Sequence, residues 1–196
     1  MKDYASLDDS ALVATALRDR NAYALLVVRY EGPLGRYAGR ILGSHAYATD
    51  DVLQEAFIKA YVNLRDYDRS RPFAPWLYRI VHNEAVSFLR KRRAEPQTID
   101  GEDGLLLLER ISDGSDLQAD LVQKGMESAI RASMNTLGQR YRDVLVLRFL
   151  EDKSYSDIAD ILELPAGTVA TLIKRGLNHL RPLLESSGLG IGSRDT

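Results

Sequence analysis

Apolar residues recur every three or four positions through the first ninety residues, which is the spacing of amphipathic helices. The spacing predicts four helices, over residues 8–17, 21–43, 50–64 and 75–90. Asp8 or Asp9 is placed to cap the first helix, and Gly32-Pro33 is expected to kink or break the second. Val28 and Tyr61 are among the positions predicted to face the core. No segment of strand length alternates between apolar and polar residues, so this unit is expected to be entirely helical.

A second helical unit is predicted towards the end of the chain. Ser154 and Asp157 form a variant of the capping box at the start of SYSDIADIL, and residues 163–167, ELPAG, make a tight turn before TVATLIKRGLNHL. Two short helices joined by a turn predict a helix-turn-helix, with a helical hairpin that only packs as the alternative. Val169 and Leu177 should face inward, whereas five polar side chains should face outward and contact phosphates or base edges in a major groove. These are Thr168, Thr171, Lys174, Arg175 and Asn178.

Composition places the chain among ordinary globular proteins, with 45% hydrophobic and 28% charged residues in a total of 196. It has no cysteine, which excludes disulfide scaffolds, thiolate zinc sites and cysteine nucleophiles. The first residues, MKDYASLDDS, lack the basic and apolar regions of a signal peptide, and nowhere do about 18 apolar residues run together. The chain is therefore expected to be soluble and cytoplasmic, with no membrane insertion.

Net charge is −2 overall but changes sharply along the chain. Residues 1–93 carry +4, residues 94–120 carry −7 and residues 121–196 carry +1. The acidic stretch is also rich in Pro, Gly, Asp and Ser, which is typical of loops that cannot pack a core. It contains one apolar run, Leu105 to Leu108, with the length of one docked helical turn. The sequence thus predicts two folded units on an acidic, flexible connector, free to sample many arrangements unless a partner or their own interface fixes them.

The segment RDYDRSRPFAPWLYR, residues 65–79, interleaves four aromatic residues with four arginines. Aromatic faces stack on unpaired bases, at about 1–3 kcal/mol per base, and arginine neutralises phosphate. This composition favours a surface that binds single-stranded nucleic acid. The alternative is that Phe73, Trp76 and Tyr78 are core residues at the start of the fourth helix. The basic run Arg90 to Arg93 likewise fits either a phosphate contact or a solvated helix end.

No set of side chains in the sequence predicts catalysis. The paired carboxylates Asp8-Asp9 and Asp50-Asp51 have no histidine or third carboxylate placed to complete a site. The three histidines, His45, His82 and His179, lie in unrelated contexts. We therefore expect no catalytic residue, no cofactor and no bound metal.

Three segments of the sequence follow the pattern of a known family: DDVLQEAFIKAY, FAPWLYRIVHNEAVSFLRKRR and TLGQRYRDVLVLRFLEDKSYSDIADILELPAGTV. On these segments the chain resembles the bacterial extracytoplasmic-function (group IV, sigma-70 family) RNA polymerase sigma factors, especially their envelope-stress branch. It implies an all-α protein of two small helical domains, with region 2 over 1–93, an acidic linker over 94–120, a region 4 helix-turn-helix over 121–185 and a tail over 186–196. The implied function is to bind core RNA polymerase and promoter DNA in a stress response. An anti-sigma factor would hold the chain inactive, and a membrane-bound one would tether it indirectly to the membrane.

The resemblance also implies roles for individual residues. Polymerase binding falls to Asp51, Gln54 and Glu55. Recognition and melting of the minus-ten element fall to Lys59, Tyr61, Tyr67, Asp68, Arg69, Ser70, Arg71, Phe73, Trp76, Arg79 and Asn83. Recognition of the minus-thirty-five element falls to Tyr155, Ser156, Thr168, Thr171, Lys174, Arg175 and Asn178. After GTV, where the family places a basic residue, a small hydroxyl residue and an arginine, this chain has Ala170, Thr171 and Leu172, so the family's sequence preference does not transfer.

Two other classes of protein fit parts of the sequence. A one-component transcriptional regulator would use the helix-turn-helix for DNA and the N-terminal helices to sense a ligand or to dimerise. A nucleic-acid-processing enzyme is disfavoured, because the sequence has no P-loop, nucleophile or metal cluster. The DDVLQE helix and the aromatic-arginine segment distinguish a sigma factor from a one-component regulator, since a regulator needs neither.

Overall fold

The computed structural model describes residues 4, 6–94, 133–134 and 136–186, and all the regular elements in this part of the chain are helical. They are α1 (Asp9–Ala16), α2 (Arg20–Leu42), a 3₁₀ helix (Gly43–Ala48), α3 (Thr49–Val62), α4 (Phe73–Ala94), α5 (Gln139–Leu145), a π-helical segment (Val146–Leu150), α6 (Tyr155–Leu162) and α7 (Ala166–Ser186). The all-α prediction is confirmed. The acidic connector beyond Ala94, with its run Leu105 to Leu108, and the tail beyond Ser186 lie outside the described residues.

The predicted break at Gly32-Pro33 is wrong, because α2 continues through Pro33. Proline removes one backbone hydrogen bond and crowds the preceding turn of a helix. The helix face that follows is fully buried, with Leu34 and Tyr37 both 0% exposed, so tertiary packing offsets that loss. α2 ends only at Leu42, where Gly43 adopts a positive φ of 60° that residues with a side chain rarely tolerate.

α3 packs against α2 and α4 through a narrow stripe of small residues. Val52, Ala56 and Ala60 form this stripe, and each is no more than 4% exposed. Tyr61, which was predicted to face inward, lies beside the stripe and is 40% exposed. Val28 on α2 is 64% exposed and its inward prediction is also wrong. Helical spacing alone predicts too wide a buried face, because it does not show which side of a helix has no neighbouring element.

The second unit contains the predicted helix-turn-helix. The Ser154 hydroxyl accepts a hydrogen bond from the Asp157 N–H at 3.0 Å, and the Asp157 carboxylate accepts one from the Ser154 N–H at 3.1 Å. This reciprocal pair completes the capping box of α6. Glu163 ends α6 in the left-handed region, with a φ of 54°. α7 begins at Ala166, slightly before the predicted start, and Leu177, expected to face inward, is 41% exposed.

The two units pack against each other. α4 of the first unit contacts α6 of the second, and buried apolar residues of both belong to one continuous cluster. Tyr37 and Tyr78 come from the first unit, and Val146 and Ile158 from the second. An interface of their own therefore fixes their arrangement, and it brings the aromatic-arginine segment beside the helix-turn-helix.

Candidate functional site

The predicted polymerase-binding residues form one exposed face of α3. Asp51, Gln54 and Glu55 lie three or four residues apart, so they share a side of the helix, and all three are exposed. The same side continues with Ile58 and Val62, which are 50% and 69% exposed. The face is acidic at its start and apolar at its end. Such a surface suits a protein partner, since an acidic helix face repels DNA.

Lys59 and Tyr61, which belong to the predicted minus-ten group, lie on adjoining sides of α3. Lys59 Nζ lies 2.7 Å from a carboxylate oxygen of Glu84 on α4. The centroid of the Tyr61 ring lies 4.9 Å from that of Tyr23 on α2. Both residues are exposed, so they tie α3 to its neighbours and still face solvent.

The loop between α3 and α4 is held in shape by its own hydrogen bonds. The Asp68 carboxylate accepts from the Ser70 backbone N–H at 3.0 Å and from the Ser70 hydroxyl at 2.7 Å, and these bonds lower the pKa of Asp68. The Tyr67 hydroxyl donates to the carbonyl of Arg71. Arg69, Ser70 and Arg71 are exposed. This part of the loop therefore presents the guanidinium groups of Arg69 and Arg71 on a fixed backbone.

Behind this loop the aromatic residues form a cluster inside the first unit. The Phe73 ring centroid lies 5.5 Å from those of Tyr67 and Trp76 and 5.7 Å from that of Tyr30. Phe73 is 4% exposed, Tyr67 is 8% exposed and Tyr78 is 3% exposed, whereas Trp76 is half-buried. The geometry supports the core alternative for Phe73 and Tyr78. Within the cluster, Trp76 keeps the most accessible surface for stacking on a base.

α4 carries the last two residues of the predicted minus-ten group. Asn83 is exposed, whereas the Arg79 guanidinium lies 3.4 Å from the carboxylate of Glu163 at the end of α6. The Arg71 guanidinium similarly lies 3.7 Å from the carboxylate of Asp160 on α6. Two of the predicted DNA-binding arginines are thus paired with acids of the other unit.

Every residue of the predicted minus-thirty-five group is exposed. They are Tyr155, Ser156, Thr168, Thr171, Lys174, Arg175 and Asn178. The Thr171 hydroxyl donates to the carbonyl of Gly167 at 2.9 Å, so one of its hydrogen-bonding positions is used within α7. Leu172, which stands where the family places an arginine, packs against the hydrophobic core. α7 therefore presents a polar face with two cations, on the side away from the core.

Sequence reasoning missed the polar contacts between the two units. The side chain of Glu151, which follows the π-helical segment, is only 6% exposed. Its carboxylate accepts hydrogen bonds from Arg40 on α2 and from the Tyr78 hydroxyl, the latter at 3.0 Å. Lys153 Nζ lies 4.1 Å from the centroid of the Tyr78 ring. Burial and the Glu151 charge raise the pKa of Tyr78. In the sequence, Glu151 is indistinguishable from a solvated acid.

A second missed group is buried at the same interface. The Tyr37 hydroxyl lies 2.9 Å from His82 Nδ1, and His82 Nε2 lies 3.8 Å from a carboxylate oxygen of Asp143 on α5. Burial lowers the pKa of His82 to about 4. Burial also raises the pKa of Asp143 to about 7, against the opposing effect of a hydrogen bond from Gln139. Both shifts favour the neutral forms, as expected for titratable groups enclosed by apolar packing.

Of the two carboxylate pairs noted in the sequence, Asp8-Asp9 has structural partners. Asp8 caps α1, and the Asp9 carboxylate binds Arg29 and Tyr30. Among the residues that the structure describes, no three His, Cys, Asp or Glu side chains are grouped closely enough to hold a metal ion. No helix within the described ranges is long and apolar enough to cross a bilayer.

Comparison with known proteins identifies the family. The family model of sigma-70 region 2 matches residues 26–95, and that of sigma-70 region 4 matches residues 127–180. The chain is 34% identical over 170 residues to the ECF RNA polymerase sigma factor SigW of Bacillus subtilis, which covers 85% of this chain and 90% of the relative. It is 33% identical over 191 residues to the ECF RNA polymerase sigma-E factor of Escherichia coli K12, covering 91% of this chain and 97% of the relative.

Solved structures show the same fold. The chain matches CnrH, in its complex with the cytosolic domain of CnrY, with a TM-score of 0.67 at 28% identity over 91% of this chain and 97% of CnrH. It matches the fold of the sigma factor RpoE from Bartonella quintana with a TM-score of 0.64 at 24% identity, over 83% of this chain and 96% of that one. The protein thus belongs to the sigma-70 family, within its ECF group of RNA polymerase sigma factors.

Proposed function

We propose that this chain binds core RNA polymerase and directs it to promoters through contacts with the minus-ten and minus-thirty-five elements. The main support for this proposal is that one chain has three surfaces of different chemical character. They are the acidic and apolar face of α3, the arginine-bearing loop before α4, and the polar face of α7. Each suits a different partner, namely a protein, single-stranded DNA and the major groove of a duplex.

The α3 face is the proposed polymerase contact. Asp51, Gln54 and Glu55 supply charge and hydrogen bonds, and the exposed Ile58 and Val62 extend the contact with apolar area. Acids steer a protein towards a basic partner, and apolar area supplies most of the affinity once the surfaces meet. A one-component regulator would have no use for this face.

The minus-ten group divides into two proposed roles. Arg69, Arg71 and Arg79 neutralise phosphates, with Lys59, Tyr61, Ser70 and Asn83 on the adjoining exposed surface. Trp76 stacks on an unpaired base. Tyr67, Asp68 and Phe73 act indirectly, because their buried rings and local hydrogen bonds hold the loop and Trp76 in place.

The helix-turn-helix is the proposed minus-thirty-five reader, with α7 in the major groove. Thr168, Thr171 and Asn178 contact base edges or phosphates there, and Lys174 and Arg175 neutralise phosphates, while Tyr155 and Ser156 contact the backbone from the start of α6. With Ala170 and Leu172 in the chain, two cationic contacts are absent, so the preferred sequence differs from that of relatives that carry them.

The chain is proposed to act in the cytoplasm, without enzymatic activity of its own, and to be held inactive by an anti-sigma factor. Two structural neighbours support this regulation, since RpoE was solved with the anti-sigma factor NepR and CnrH with the cytosolic domain of CnrY. The proposed domains remain region 2 over 1–93 and region 4 over 121–185, joined by the acidic linker 94–120 and followed by a tail.

Run-off transcription with purified core polymerase tests the proposal. The chain should activate initiation on promoter fragments, and Glu55→Arg should weaken its affinity for core polymerase by at least about tenfold, because a reversed charge repels a basic partner. The helical circular dichroism should not change, since Glu55 is solvated. Glu31→Arg, an equal reversal on α2 at another exposed position, is the matched control.

Two results would contradict the proposal. If Glu55→Arg and Glu31→Arg bind core polymerase with equal affinity, the α3 face is not the polymerase contact. A chain that binds a promoter duplex alone, yet never activates polymerase, would favour the one-component regulator.

A further inference from the structure

A basic cleft lies between the two units, near the end of α4. It has a volume of about 240 Å³, and its apolar walls include Leu42 at the end of α2 and Leu89 on α4. Among the described residues, its polar lining consists of Ser44, His45, Arg92, Arg93, Gln139 and Arg142. The first four of these belong to the first unit and the last two to α5 of the second, so neither unit forms the cleft alone. The proposed surfaces for DNA and polymerase do not include this cleft.

Arg142 is held in one orientation beside the cleft. Its guanidinium donates to three main-chain carbonyls, those of Met134 at 3.1 Å, Leu137 at 3.3 Å and Ile41 at 3.5 Å. Because Ile41 lies on α2, these bonds also connect the second unit to the first. A group fixed in this way loses little conformational freedom when it binds a ligand.

Like charges meet at this cleft. Burial lowers the pKa of Arg142 and the charge of Arg93 lowers it further, against the opposing effect of Asp143. Asp143 compensates only weakly, because burial raises its own pKa to about 7 and favours its neutral form. The surroundings therefore disfavour the positive charge of Arg142, and an anion in the cleft would reverse that effect.

The basic run Arg90 to Arg93 divides at the cleft. Arg92 and Arg93 line it, whereas the first two residues of the run are exposed outside it. The Arg92 guanidinium donates to the Tyr47 hydroxyl at 2.8 Å, which defines its position at the end of α4. Half of the run thus faces a cavity, and the other half has the exposure of a solvated helix end.

The lining suits an anion that presents several oxygens. A guanidinium group binds two phosphate oxygens at once. The Ser44 hydroxyl, 3.1 Å from His45 Nδ1, adds a neutral hydrogen-bonding group. The apolar walls strengthen charge-assisted bonds, because they limit screening by water. Pockets for drug-sized ligands measure about 300–1,000 Å³, so this smaller cleft suits a compact group.

We propose that this cleft binds a small anion with at least two phosphate groups, held between the two units by Arg92, Arg93 and Arg142. Pyrophosphate and the diphosphate end of a nucleotide share this chemistry, whereas each phosphodiester of DNA carries a single charge. Because both units contact the ligand, it binds their packed arrangement and stabilises it. The ligand therefore opposes separation of the units, which goes beyond the proposed function.

Isothermal titration calorimetry of the free full-length chain with pyrophosphate tests the proposal. The wild type should bind one pyrophosphate per chain, and Arg92→Gln/Arg93→Gln should bind it at least about tenfold more weakly, because two charge-assisted contacts are lost. Arg90→Gln/Lys91→Gln is the matched control, since it removes two charges from the same run outside the cleft, and it should change the affinity less than about twofold. Equal losses in the two double variants would show general attraction to a basic helix end and would overturn the proposal.

A variant of the second unit tests whether the anion bridges the units. Arg142→Lys keeps the charge but loses the planar fork, so it should bind pyrophosphate at least about threefold more weakly. Arg148→Lys makes the same exchange outside the cleft and should bind as the wild type does. Circular dichroism checks that both variants are folded. If Arg142→Lys binds pyrophosphate as tightly as Arg148→Lys, the bridging role is wrong.

Other occupants of the cleft give different results. If Arg92→Gln/Arg93→Gln weakens binding of duplex DNA but not of pyrophosphate, the two arginines contact DNA and the proposal fails. If pyrophosphate binds only to Asp100→Asn/Glu102→Gln/Asp103→Asn, carboxylates of the chain's own connector fill the cleft and the proposal also fails. Titration with ADP distinguishes the two sources of the ligand, since a nucleotide site binds ADP more tightly than pyrophosphate and a pyrophosphate site does the reverse. These measurements use neither polymerase nor promoter, so their failure would leave the proposed function standing.

Discussion

Replacing Phe73 decides whether the aromatic cluster is core or DNA-binding surface. Phe73 is 4% exposed and touches three rings, and truncating a buried phenylalanine to alanine costs about 3–5 kcal/mol. Its neighbour Trp76 is half-buried and can relax towards the cavity, so we expect Phe73→Ala to lose about 3 kcal/mol of the free energy of unfolding. Phe73→Leu keeps most of the volume and should lose about 1 kcal/mol.

Urea unfolding checks these values, followed by circular dichroism and by the fluorescence of Trp76, the single tryptophan of the chain. For a helical unit of this size the loss in Phe73→Ala should lower the urea midpoint by about 1–3 M. Phe73→Leu, which stays folded, should bind oligo(dT) as the wild type does. A loss below about 1 kcal/mol in Phe73→Ala, together with weaker DNA binding by Phe73→Leu, would refute the core assignment.

Two further predictions concern the closed form, in which the two units pack together, and are measured by energy transfer between dyes on Ala24→Cys of α2 and Ala166→Cys of α7, both exposed in a chain without cysteine. Glu151→Gln should shift the closed-to-open equilibrium by about 1.5–3 kcal/mol, because it weakens the charge-assisted bonds from Arg40 and Tyr78; an unchanged closed fraction would contradict this. The second prediction concerns pH. Asp143 has a raised pKa of about 7, so its protonation as pH falls below 7 stabilises the closed form. His82 has a lowered pKa of about 4, so as pH falls below about 6.5, the usual pKa of histidine, the closed form is destabilised. The two effects should cancel, so the closed fraction of the wild type should stay level between pH 6.5 and 5. In His82→Gln only the effect of Asp143 remains, and the closed fraction should rise over the same range. If the wild type and His82→Gln titrate in parallel, His82 does not oppose Asp143.

The parts of the structure that sequence predicted are those decided by local physics. The capping box at Ser154 needs only its own neighbours, and the turn at Glu163 follows from the residues around it. The exposure of Lys174 and Arg175 follows from the period of α7, once Val169 is placed in the core. These features depend on the spacing of residues along the chain, which can be read directly from the sequence.

The errors lie where a distant neighbour overrides a local preference. Pro33 should break a helix in isolation, yet the buried face around it keeps α2 continuous. Tyr61 has the right period for the core, but its ring lies beside Tyr23 at the edge of α2 and the residue stays 40% exposed. For Phe73, where a stacking surface and a core position were both open, three enclosing rings favour the core. Spacing identifies Trp76 as a neighbour of Phe73 but not Tyr30, which comes from another helix.

The interface between the units was beyond prediction for a different reason. Arg40 and Glu151 are ordinary surface residues in the sequence, and each acquires its role only from the arrangement of the two units. Asp143 and His82 belong to different units and are far apart in the chain. A long connector lets the two units meet in many ways, so composition alone does not select this one.

The closed arrangement must also be reversible if the chain is to contact two promoter elements. Two ion pairs between the units, Arg71 with Asp160 and Arg79 with Glu163, are partly solvated, and each contributes at most about 1 kcal/mol. A partner that binds only the open form needs about 5.5 kcal/mol of preference to convert a chain that is 99% closed into one that is 99% open. A protein interface of ordinary size supplies more than this. Under the proposed function, core polymerase would bind first on the exposed face of α3 and draw on that free energy to separate the units.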